Sequence, residues 1–222
     1  MAAVWESAAR LQELVPDAVL VGGSAATLYA AHRVSFDHDH VLTDLAERFE
    51  LVLEALEREP DWVTNRVTPG QIIPGELGGI EAGVRQLVRR LPLEVQEIRL
   101  PSGSTLRVPT AAETLRVKAF LIVKRNQVRD YLDVTALAER YGRGASAFEL
   151  AHLDDYYRDP ARGLDAVASQ LVRQLGDPQP KDRSVTARLE NYRGLIEPWR
   201  EWSRVVAVCQ DLAARIVAED WD

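Results

Sequence analysis

The sequence predicts an α/β protein of the α+β kind, in which a mixed sheet flanked by helices precedes an α-helical C-terminal region. Two observations lead to this prediction. Apolar or alternating runs typical of strands are interleaved with helical patterns over about the first 110 residues. After residue 145 the spacing of apolar residues is helical throughout. We therefore predict a domain over residues 1–145 and a helical region over residues 146–222.

The first part alternates between helices and strands. Its first helix ends at Pro16, its first strand ends at two glycines, and Ser24 is expected to cap the second helix. The predicted elements are helix 5–14, strand 18–21, helix 25–32, strand 35–42, helix 44–59, strand 62–67, a turn-rich hairpin or loop 68–80, strands 80–88, 93–100 and 105–108, and helices 110–125 and 127–141. In the second part we predict helices at 146–157, 163–175 and 184–219, interrupted or kinked at prolines.

The composition is that of an ordinary globular protein, with 222 residues, 46% hydrophobic and 27% charged. The single cysteine, Cys209, excludes an intramolecular disulfide and fits a reducing compartment. No stretch approaches the roughly 20 apolar residues that span a bilayer, and the N-terminus lacks the apolar core of a secretory signal. We therefore predict a cytoplasmic protein without a membrane partner.

The formal net charge of −7 argues at first against a nucleic-acid partner, but the charge is unevenly distributed. Residues 80–130 hold 10 basic and 5 acidic side chains. The basic block within them comprises Arg85, Arg89, Arg90, Arg116, Lys118, Lys124, Arg125 and Arg129. This block predicts a local basic face, so the total charge does not exclude contact with an RNA end.

Gly22, Gly23 and Ser24 stand between a predicted strand and a predicted helix. Glycine allows backbone N–H groups to approach phosphate oxygens, and the N–H groups at a helix N-terminus favour an anion. The triplet is therefore a candidate phosphate site. Two glycines alone more often form an ordinary strand-to-helix turn, and it is the downstream aspartate pair that favours phosphate binding.

Asp37 and Asp39 are two residues apart on the next predicted strand, so both carboxylates project from one face. Neighbouring carboxylates repel each other unless a cation lies between them, and Mg²⁺ accepts carboxylates together with water and nucleotide phosphates. We predict Asp37 and Asp39 as ligands of Mg²⁺, with Mn²⁺ as the alternative ion. The other interpretation is a pair of solvated edge-strand charges. His38 and His40 share the opposite face, where we expect hydrogen-bonded histidines beneath the sheet.

These residues resemble the motifs of the nucleotidyltransferase superfamily with a polymerase-β-like core, in which a Gly-Ser precedes an Asp-x-Asp on the next strand. They are most similar to the AbiEii-type toxins, which include mycobacterial tRNA-modifying nucleotidyltransferase toxins. The matching residues are Gly22-Gly23-Ser24-Ala25 and His32-Arg33-Val34-Ser35-Phe36-Asp37-His38-Asp39, then Lys118-Ala119-Phe120-Leu121, Arg125 and Arg129-Asp130-Tyr131-Leu132-Asp133. The resemblance covers about residues 15–140, and two motifs in the right order are far more specific than either alone.

The resemblance implies metal-dependent transfer of a nucleoside monophosphate from a nucleoside triphosphate to an acceptor hydroxyl. It implies an RNA acceptor, the 3′ end of tRNA, the role of a toxin, and a cognate antitoxin protein. The implied catalytic residues are Asp37, Asp39, Glu94, Lys118 and Asp130, with Asp37 and Asp39 holding the metal. The implied nucleotide-binding residues are Gly22, Gly23, Ser24, Arg33, Lys118 and Arg129, and Arg129 and Asp130 are also candidates for positioning either Lys118 or the nucleotide.

The chain departs from the superfamily pattern at its third acidic residue, since no aspartate occurs between residues 62 and 129. Glu94 is the best substitute, and Glu97 and Glu81 are the other candidates. This departure motivates a second hypothesis, a non-catalytic module that binds a nucleotide or a partner protein. A zinc hydrolase built on His38 and His40 is a third, disfavoured because alternate strand residues face opposite ways.

Several of the implied site residues also have purely structural interpretations. These are a salt bridge at a helix end for Arg33, a solvated helix face for Lys118, helix-surface ion pairs for Arg129, Asp130 and above all Asp133, and an ordinary exposed strand position for Glu94.

Overall fold

The computed structural model describes residues 1–89 and 91–221, and the chain divides into two compact units. Unit 1 comprises Met1–Leu28 and Val34–Thr110, and unit 2 comprises Tyr29–Arg33 and Ala111–Asp222. The division thus falls at Thr110, because the helices that follow it pack with the C-terminal helices. The expectation that residues 1–145 form a domain of their own stays a prediction.

Unit 1 contains a five-stranded mixed sheet, a two-stranded sheet and three helices among its described residues. Its elements are α1 (Ala2–Leu14), β1 (Val19–Val21), α2 (Gly22–Ala30, which runs on into unit 2), β2 (Asp37–Leu42), α3 (Phe49–Glu57), β3 (Trp62–Thr64), β4 (Ile72–Leu77), β5 (Ile80–Gln86), β6 (Val95–Arg99) and β7 (Thr105–Pro109). The predicted mixed sheet is confirmed, and so is the fold class.

The order of the five-stranded sheet is β1-β2-β5-β4-β3. β2 and β5 are parallel, and the other neighbouring pairs are antiparallel. One face of this sheet packs into the core of the unit through side chains such as Leu42, Ile73 and Val84, which lie against α1 and α3. The other face carries the alternate residues of the same strands, because side chains alternate along a strand.

In unit 1 the structure corrects the start of one predicted helix and decides between two alternatives for another segment. α3 begins at Phe49 and not near residue 44, because the Gln86 side chain accepts a hydrogen bond from Ala46 N–H and donates one to the Thr43 carbonyl. Of the two alternatives predicted for the turn-rich segment 68–80, the structure shows the hairpin, since β4 in this segment pairs antiparallel with β5 directly after it. Its prolines and glycines do not prevent this, since β4 pairs on both sides within the sheet.

Unit 2 is helical throughout the part that the structure describes, as predicted for the C-terminal region. Its elements are α4 (Ala111–Arg125), α5 (Val128–Tyr141), α6 (Arg143–Ala151), α7 (Leu153–Tyr157), α8 (Val167–Gly176), α9 (Arg183–Thr186), α10 (Trp202–Ala218) and two 3-10 turns at Pro160–Arg162 and Leu189–Asn191. The long helix predicted over 184–219 is interrupted, because Gly194 adopts a positive φ and Pro198 lacks an N–H donor. In the described part of the chain, no helix combines the length and apolar character needed to cross a membrane.

Candidate active site

Asp37 and Asp39 lie on the outer face of β2, as their spacing predicts. Burial along this strand alternates, with Asp37, Asp39 and Val41 half-buried and the residues between them buried. The Asp39 side chain retains 35% of its exposure, so a cation can reach it from solvent. The two carboxylates therefore share one accessible face, which a metal site of this kind requires.

Two glycines surround the Asp39 carboxylate. An added Cβ would lie 3.5 Å from Asp39 Oδ2 at Gly22 and 3.4 Å from Asp39 Oδ1 at Gly83. Gly22 follows β1, whose Val21 pairs with Asp39, and Gly83 is the partner of Asp39 on β5. Gly22 also has a φ of +77°, a conformation that favours glycine. The absence of both side chains leaves room beside the carboxylate.

Ser24 has a different role from the predicted helix cap. α2 begins at Gly22, so Ser24 lies within its first turn. The Ser24 hydroxyl is buried and donates a hydrogen bond of 2.5 Å to the backbone carbonyl of Asp37. This bond ties the start of α2 to the start of β2. The backbone N–H groups of Gly23 and Ser24 lie in the first helical turn, where they have no partner within the helix.

Arg85, predicted from the sequence only as a member of the basic block, lies beside Asp39. Its Nε lies 3.2 Å from Asp39 Oδ1, and its side chain is 52% exposed. Arg85 is the partner of Val41 on β5, so it shares the outer face with Asp39. A guanidinium therefore balances part of the negative charge of the aspartate pair.

The metal implied by the resemblance fits this pair, with a limited set of protein ligands. Mg²⁺ commonly binds one or two carboxylates and completes its octahedron with water and substrate phosphates. Among the described residues, no group of three His, Cys, Asp or Glu side chains lies close enough to hold a metal ion. The third carboxylate is therefore not part of a preformed cluster with Asp37 and Asp39.

The strand register favours Glu81 over Glu94 as the neighbour of the pair. Glu81 is exposed and is the β5 partner of Asp37. Glu94 precedes β6 in the separate two-stranded sheet, where its backbone carbonyl accepts a hydrogen bond of 2.8 Å from Thr110 N–H. Glu97 lies on β6. The assignment of Glu94 stays a prediction.

His38 and His40 lie on the buried face of β2, opposite the aspartates. The His38 ring accepts or donates a hydrogen bond of 3.0 Å with the Ser7 hydroxyl. Burial lowers the pKa of His38 to about 4, although the charges of Asp39 and Asp37 act in the other direction. Burial likewise lowers the pKa of His40. Both rings are therefore neutral at pH 7. His38 is hydrogen-bonded beneath the sheet, as predicted. For His40 the prediction is wrong, since neither of its ring nitrogens has a hydrogen-bond partner among the described residues.

Unit 2 contains a buried ion-pair cluster centred on Asp133. Lys118 Nζ lies 2.7 Å from Asp133 Oδ2, and Arg33 Nε lies 2.8 Å from Asp133 Oδ1. His32 Nε2 is 2.7 Å from the same Oδ1 atom. Asp133 and His32 are fully buried, and Lys118 and Arg33 retain 2% and 9% of their exposure. The sequence-based interpretation of Asp133 as a surface residue is therefore wrong.

The pKa of Asp133 lies well below its usual range. Burial by itself would raise this pKa. The positive charges of Lys118 and Arg33 and the hydrogen bond with His32 lower it by more than burial raises it. The carboxylate is therefore ionised at neutral pH. One sequence signal for this exists: Asp133 is embedded in the apolar run Tyr131–Ala138, and a carboxylate inside such a helix must be paired if it is buried.

Asp130 and Arg129 contact residues other than Lys118, so of their two predicted roles only the positioning of the nucleotide stays a prediction. Asp130 is fully buried and forms two hydrogen bonds with Arg125, of 2.8 and 2.6 Å. Arg129 is exposed, and its Nε donates a hydrogen bond of 3.0 Å to the Gln127 side chain. Asp133 takes the place expected for Asp130 beside Lys118, because it lies one helical turn further along α5.

The basic block of residues 80–130 contributes less exposed charge than its composition indicates. Arg116 is 2% exposed and pairs with Glu113 and Glu149, and Lys118 is buried against Asp133. Arg90 lies outside the described residues. The exposed members of the block include Arg85 in unit 1 and Arg129 in unit 2.

Comparison with known proteins places the chain in a fold class. No family model matches the sequence. The heme uptake protein MmpL11 of Mycobacterium tuberculosis H37Rv is 31% identical over 97% of this chain, but the chain spans only 23% of that protein's length. The mycolic acid-containing lipids exporter MmpL11 of Mycolicibacterium smegmatis is 37% identical over 59% of this chain and 13% of its own length.

The fold itself is similar to a solved nucleotidyltransferase. MenT4, a nucleotidyltransferase toxin of Mycobacterium tuberculosis H37Rv, superposes with a TM-score of 0.59. The alignment covers 95% of this chain and 82% of MenT4, at 20% sequence identity. The chain therefore has a nucleotidyltransferase-like fold, as the motifs predicted. At 20% sequence identity, the similarity shows the fold alone, and any activity depends on the residues of the site.

Proposed function

We propose that this protein is a metal-dependent nucleotidyltransferase that transfers a nucleoside monophosphate from a nucleoside triphosphate to an acceptor hydroxyl. The observation that carries the proposal is the position of Asp37 and Asp39. They share the accessible face of β2, beneath a glycine turn that opens a helix, within a nucleotidyltransferase-like fold. The MmpL11 relatives do not enter the argument, because their names describe whole proteins of which this chain spans less than a quarter.

Asp37 and Asp39 would hold Mg²⁺ or Mn²⁺, and such an ion would supply positive charge beside the reacting phosphates. The N–H groups of Gly23 and Ser24 would bind phosphate oxygens at the N-terminus of α2. In the reaction, the acceptor oxygen forms a bond to the α-phosphorus. The bond from that phosphorus to the bridging oxygen of the β-phosphate breaks, and pyrophosphate leaves. The hydroxyl proton passes to a carboxylate, for which Glu81 and Glu94 are the candidates.

The proposal keeps the cations that the resemblance implies for nucleotide binding. Lys118 and Arg33 are the candidates held by Asp133, and exposed Arg129 is the third. Asp133 is then a positioning residue, since it fixes two cations in a buried place. Asp130, predicted as catalytic, is better suited to holding Arg125, because both of its carboxylate oxygens are engaged there.

The acceptor and the biological role extend the proposal further. The resemblance to AbiEii-type toxins favours the 3′ end of tRNA as acceptor, inhibition of growth as the consequence, and a cognate antitoxin as partner, all in the cytoplasm. The similarity in fold to MenT4, itself a nucleotidyltransferase toxin, supports the proposed role of a toxin.

Label transfer to RNA tests the proposal. The full chain is incubated with each labelled nucleoside triphosphate, Mg²⁺ or Mn²⁺, and total tRNA. We expect label in RNA, loss of that label in Asp39→Asn, and retention of it in Asp165→Asn, a matched control at an exposed position of unit 2. Measurable binding of the triphosphate without transfer to any RNA or protein would instead favour the non-catalytic module. Stoichiometric zinc in the purified protein would favour the hydrolase.

A further inference from the structure

A cavity of about 280 Å³ lies in unit 1, beside the face of the sheet that carries Asp37 and Asp39. Val19 and Val41, which are direct partners across β1 and β2, line it. Val41 is two residues beyond Asp39, so the two side chains share a face and are separated by about 7 Å along the strand. The cavity therefore begins at the side chain that follows Asp39 on the same face of β2.

The wall of this cavity is aliphatic. In addition to Val19 and Val41, it includes Leu87, which follows β5, and Leu93 and Val95 at the start of β6. These side chains come from both sheets of the unit. Such a wall suits the flat, apolar face of a ring.

The rim of the cavity is polar, and its charges are already paired. Arg48 lies 3.0 Å from Asp17 and 3.0 Å from Asp44. Arg107 donates a hydrogen bond of 2.8 Å to the carbonyl of Pro16. An anionic ligand would have to compete with these partners for the guanidinium groups. A neutral ligand with donors and acceptors at its edge could use the same rim without disrupting it.

We propose that this cavity is a subsite for a nucleobase. The volume is near the lower limit of about 300 Å³ for small-molecule pockets, so it suits a ring and not a whole nucleotide. The sugar and phosphates would then extend along the sheet toward Asp39. The inference deepens the proposed function and rests on it for the source of the base, which is either the nucleoside triphosphate or the terminal nucleotide of the acceptor.

Binding to the cavity is tested first, without any requirement for transfer. Methyl NMR spectra of the full chain are recorded with each nucleoside 5′-monophosphate and with ribose 5-phosphate, which lacks a base. We expect at least one monophosphate to shift the methyl signals of Val41 and Leu93 in a saturable manner, and ribose 5-phosphate to leave them unchanged. Equal shifts with ribose 5-phosphate, or no shift with any monophosphate at 10-fold molar excess and above, would overturn the subsite.

Filling the cavity then identifies the source of the base. Leu93 is half-buried in the cavity wall, and Leu93→Trp should occupy the space. Val88→Trp is the matched control, since Val88 lies in the same connection, is 58% exposed and does not line the cavity. Leu93→Ala, which enlarges the cavity, serves if Leu93→Trp does not fold. Thermal unfolding of all three variants is compared with that of the unmodified chain.

The kinetic result separates the two sources. A rise in KM of about 10-fold for the triphosphate alone assigns the cavity to the substrate base, and a rise for the RNA alone assigns it to the acceptor. Unchanged values of both, in a folded Leu93→Trp, would overturn the subsite while transfer itself persists. If the unmodified chain transfers no label, the proposed function fails, and the NMR titration still decides whether the cavity binds a base.

Discussion

Lys118 Nζ lies 2.7 Å from Asp133 Oδ2, and these side chains are 2% and 0% exposed. The two residues belong to successive helices, α4 and α5, so this buried contact, together with that of Arg125 with Asp130, joins the two halves of the second sequence motif. Arg33 and His32 complete the set of partners around the same carboxylate. A buried charge with this many partners is stable only while all of them remain in place.

Removal of the central charge should therefore destabilise unit 2. In Asp133→Asn, Lys118 and Arg33 stay buried without their counter-charge, and we expect the free energy of unfolding to fall by about 3–5 kcal/mol. Urea denaturation measures this change. The double variant Lys118→Met/Asp133→Leu should recover part of the loss, because it removes opposite charges together. A fall in the free energy of unfolding of less than about 1 kcal/mol in Asp133→Asn would show that the stability of unit 2 does not depend on the charge of Asp133.

The same cluster predicts an acid-sensitive contribution to stability. The folded-state pKa of Asp133 is depressed, so its contribution is fully present above the unfolded value of about 3.9 and is lost as pH falls toward the folded value. The difference in unfolding free energy between the unmodified chain and Asp133→Asn should therefore shrink below about pH 4. Denaturation at a series of pH values measures it. A difference that stays constant from pH 6 to pH 3 would exclude this linkage.

The contact between Arg85 and Asp39 should weaken metal binding in the absence of nucleotide. The guanidinium, 3.2 Å from Asp39 Oδ1, competes with an incoming cation, and such a half-exposed pair contributes about 0.2–1 kcal/mol. Arg85→Gln should then raise the affinity for Mn²⁺ by roughly 1.4- to 5-fold. Titration calorimetry measures the affinity. Arg66→Gln, at another exposed arginine of unit 1, should leave it unchanged, and a weaker affinity in Arg85→Gln would refute the competition.

Two glycines of the sheet provide a contrast between site and core. A Cβ at Gly83 would lie 3.4 Å from Asp39 Oδ1, whereas a Cβ at Gly75 would lie 2.4 Å from a ring carbon of Trp62. Gly83→Ala should reduce metal binding and transfer with little loss of stability, within about 0.5 kcal/mol. Gly75→Ala should lose about 1–3 kcal/mol through overpacking. Thermal unfolding and Mn²⁺ titration are run on both variants. If Gly83 had only a structural role, Gly83→Ala would lower the stability and leave the affinity for Mn²⁺ unchanged.

The third carboxylate can be assigned by comparing three neutral variants. Glu81→Gln should reduce transfer at least 10-fold, about 1.4 kcal/mol of barrier, because Glu81 is the β5 partner of Asp37. Glu94→Gln and Glu97→Gln are the comparison, since these residues belong to the two-stranded sheet or its entry. Single-turnover transfer rates measure the effect. A larger loss in Glu94→Gln would restore the assignment that the sequence favours.

Local sequence patterns were sufficient for most of the elements. The alternation in Asp37–Leu42 predicted that the two aspartates share one face of the strand, and the structure shows them half-buried on the face opposite the two buried histidines. The helical character of the C-terminal region also followed from local periodicity. The predicted starts of α3 and of the last helix were wrong. Hydrogen bonds of the Gln86 side chain hold the residues before α3, and Gly194 and Pro198 interrupt the chain before α10.

By itself, the sequence determined the class of fold and the position of the aspartate pair, since both depend on spacings within a few residues. Only the tertiary structure decided which groups surround that pair and which carboxylate holds Lys118. Gly83 and Arg85 reach Asp39 through the parallel pairing of β2 with β5, more than 40 residues away in the chain. Asp133, and not Asp130, faces Lys118 because of how α4 and α5 pack. No local pattern encodes the rotation of one of these helices relative to the other.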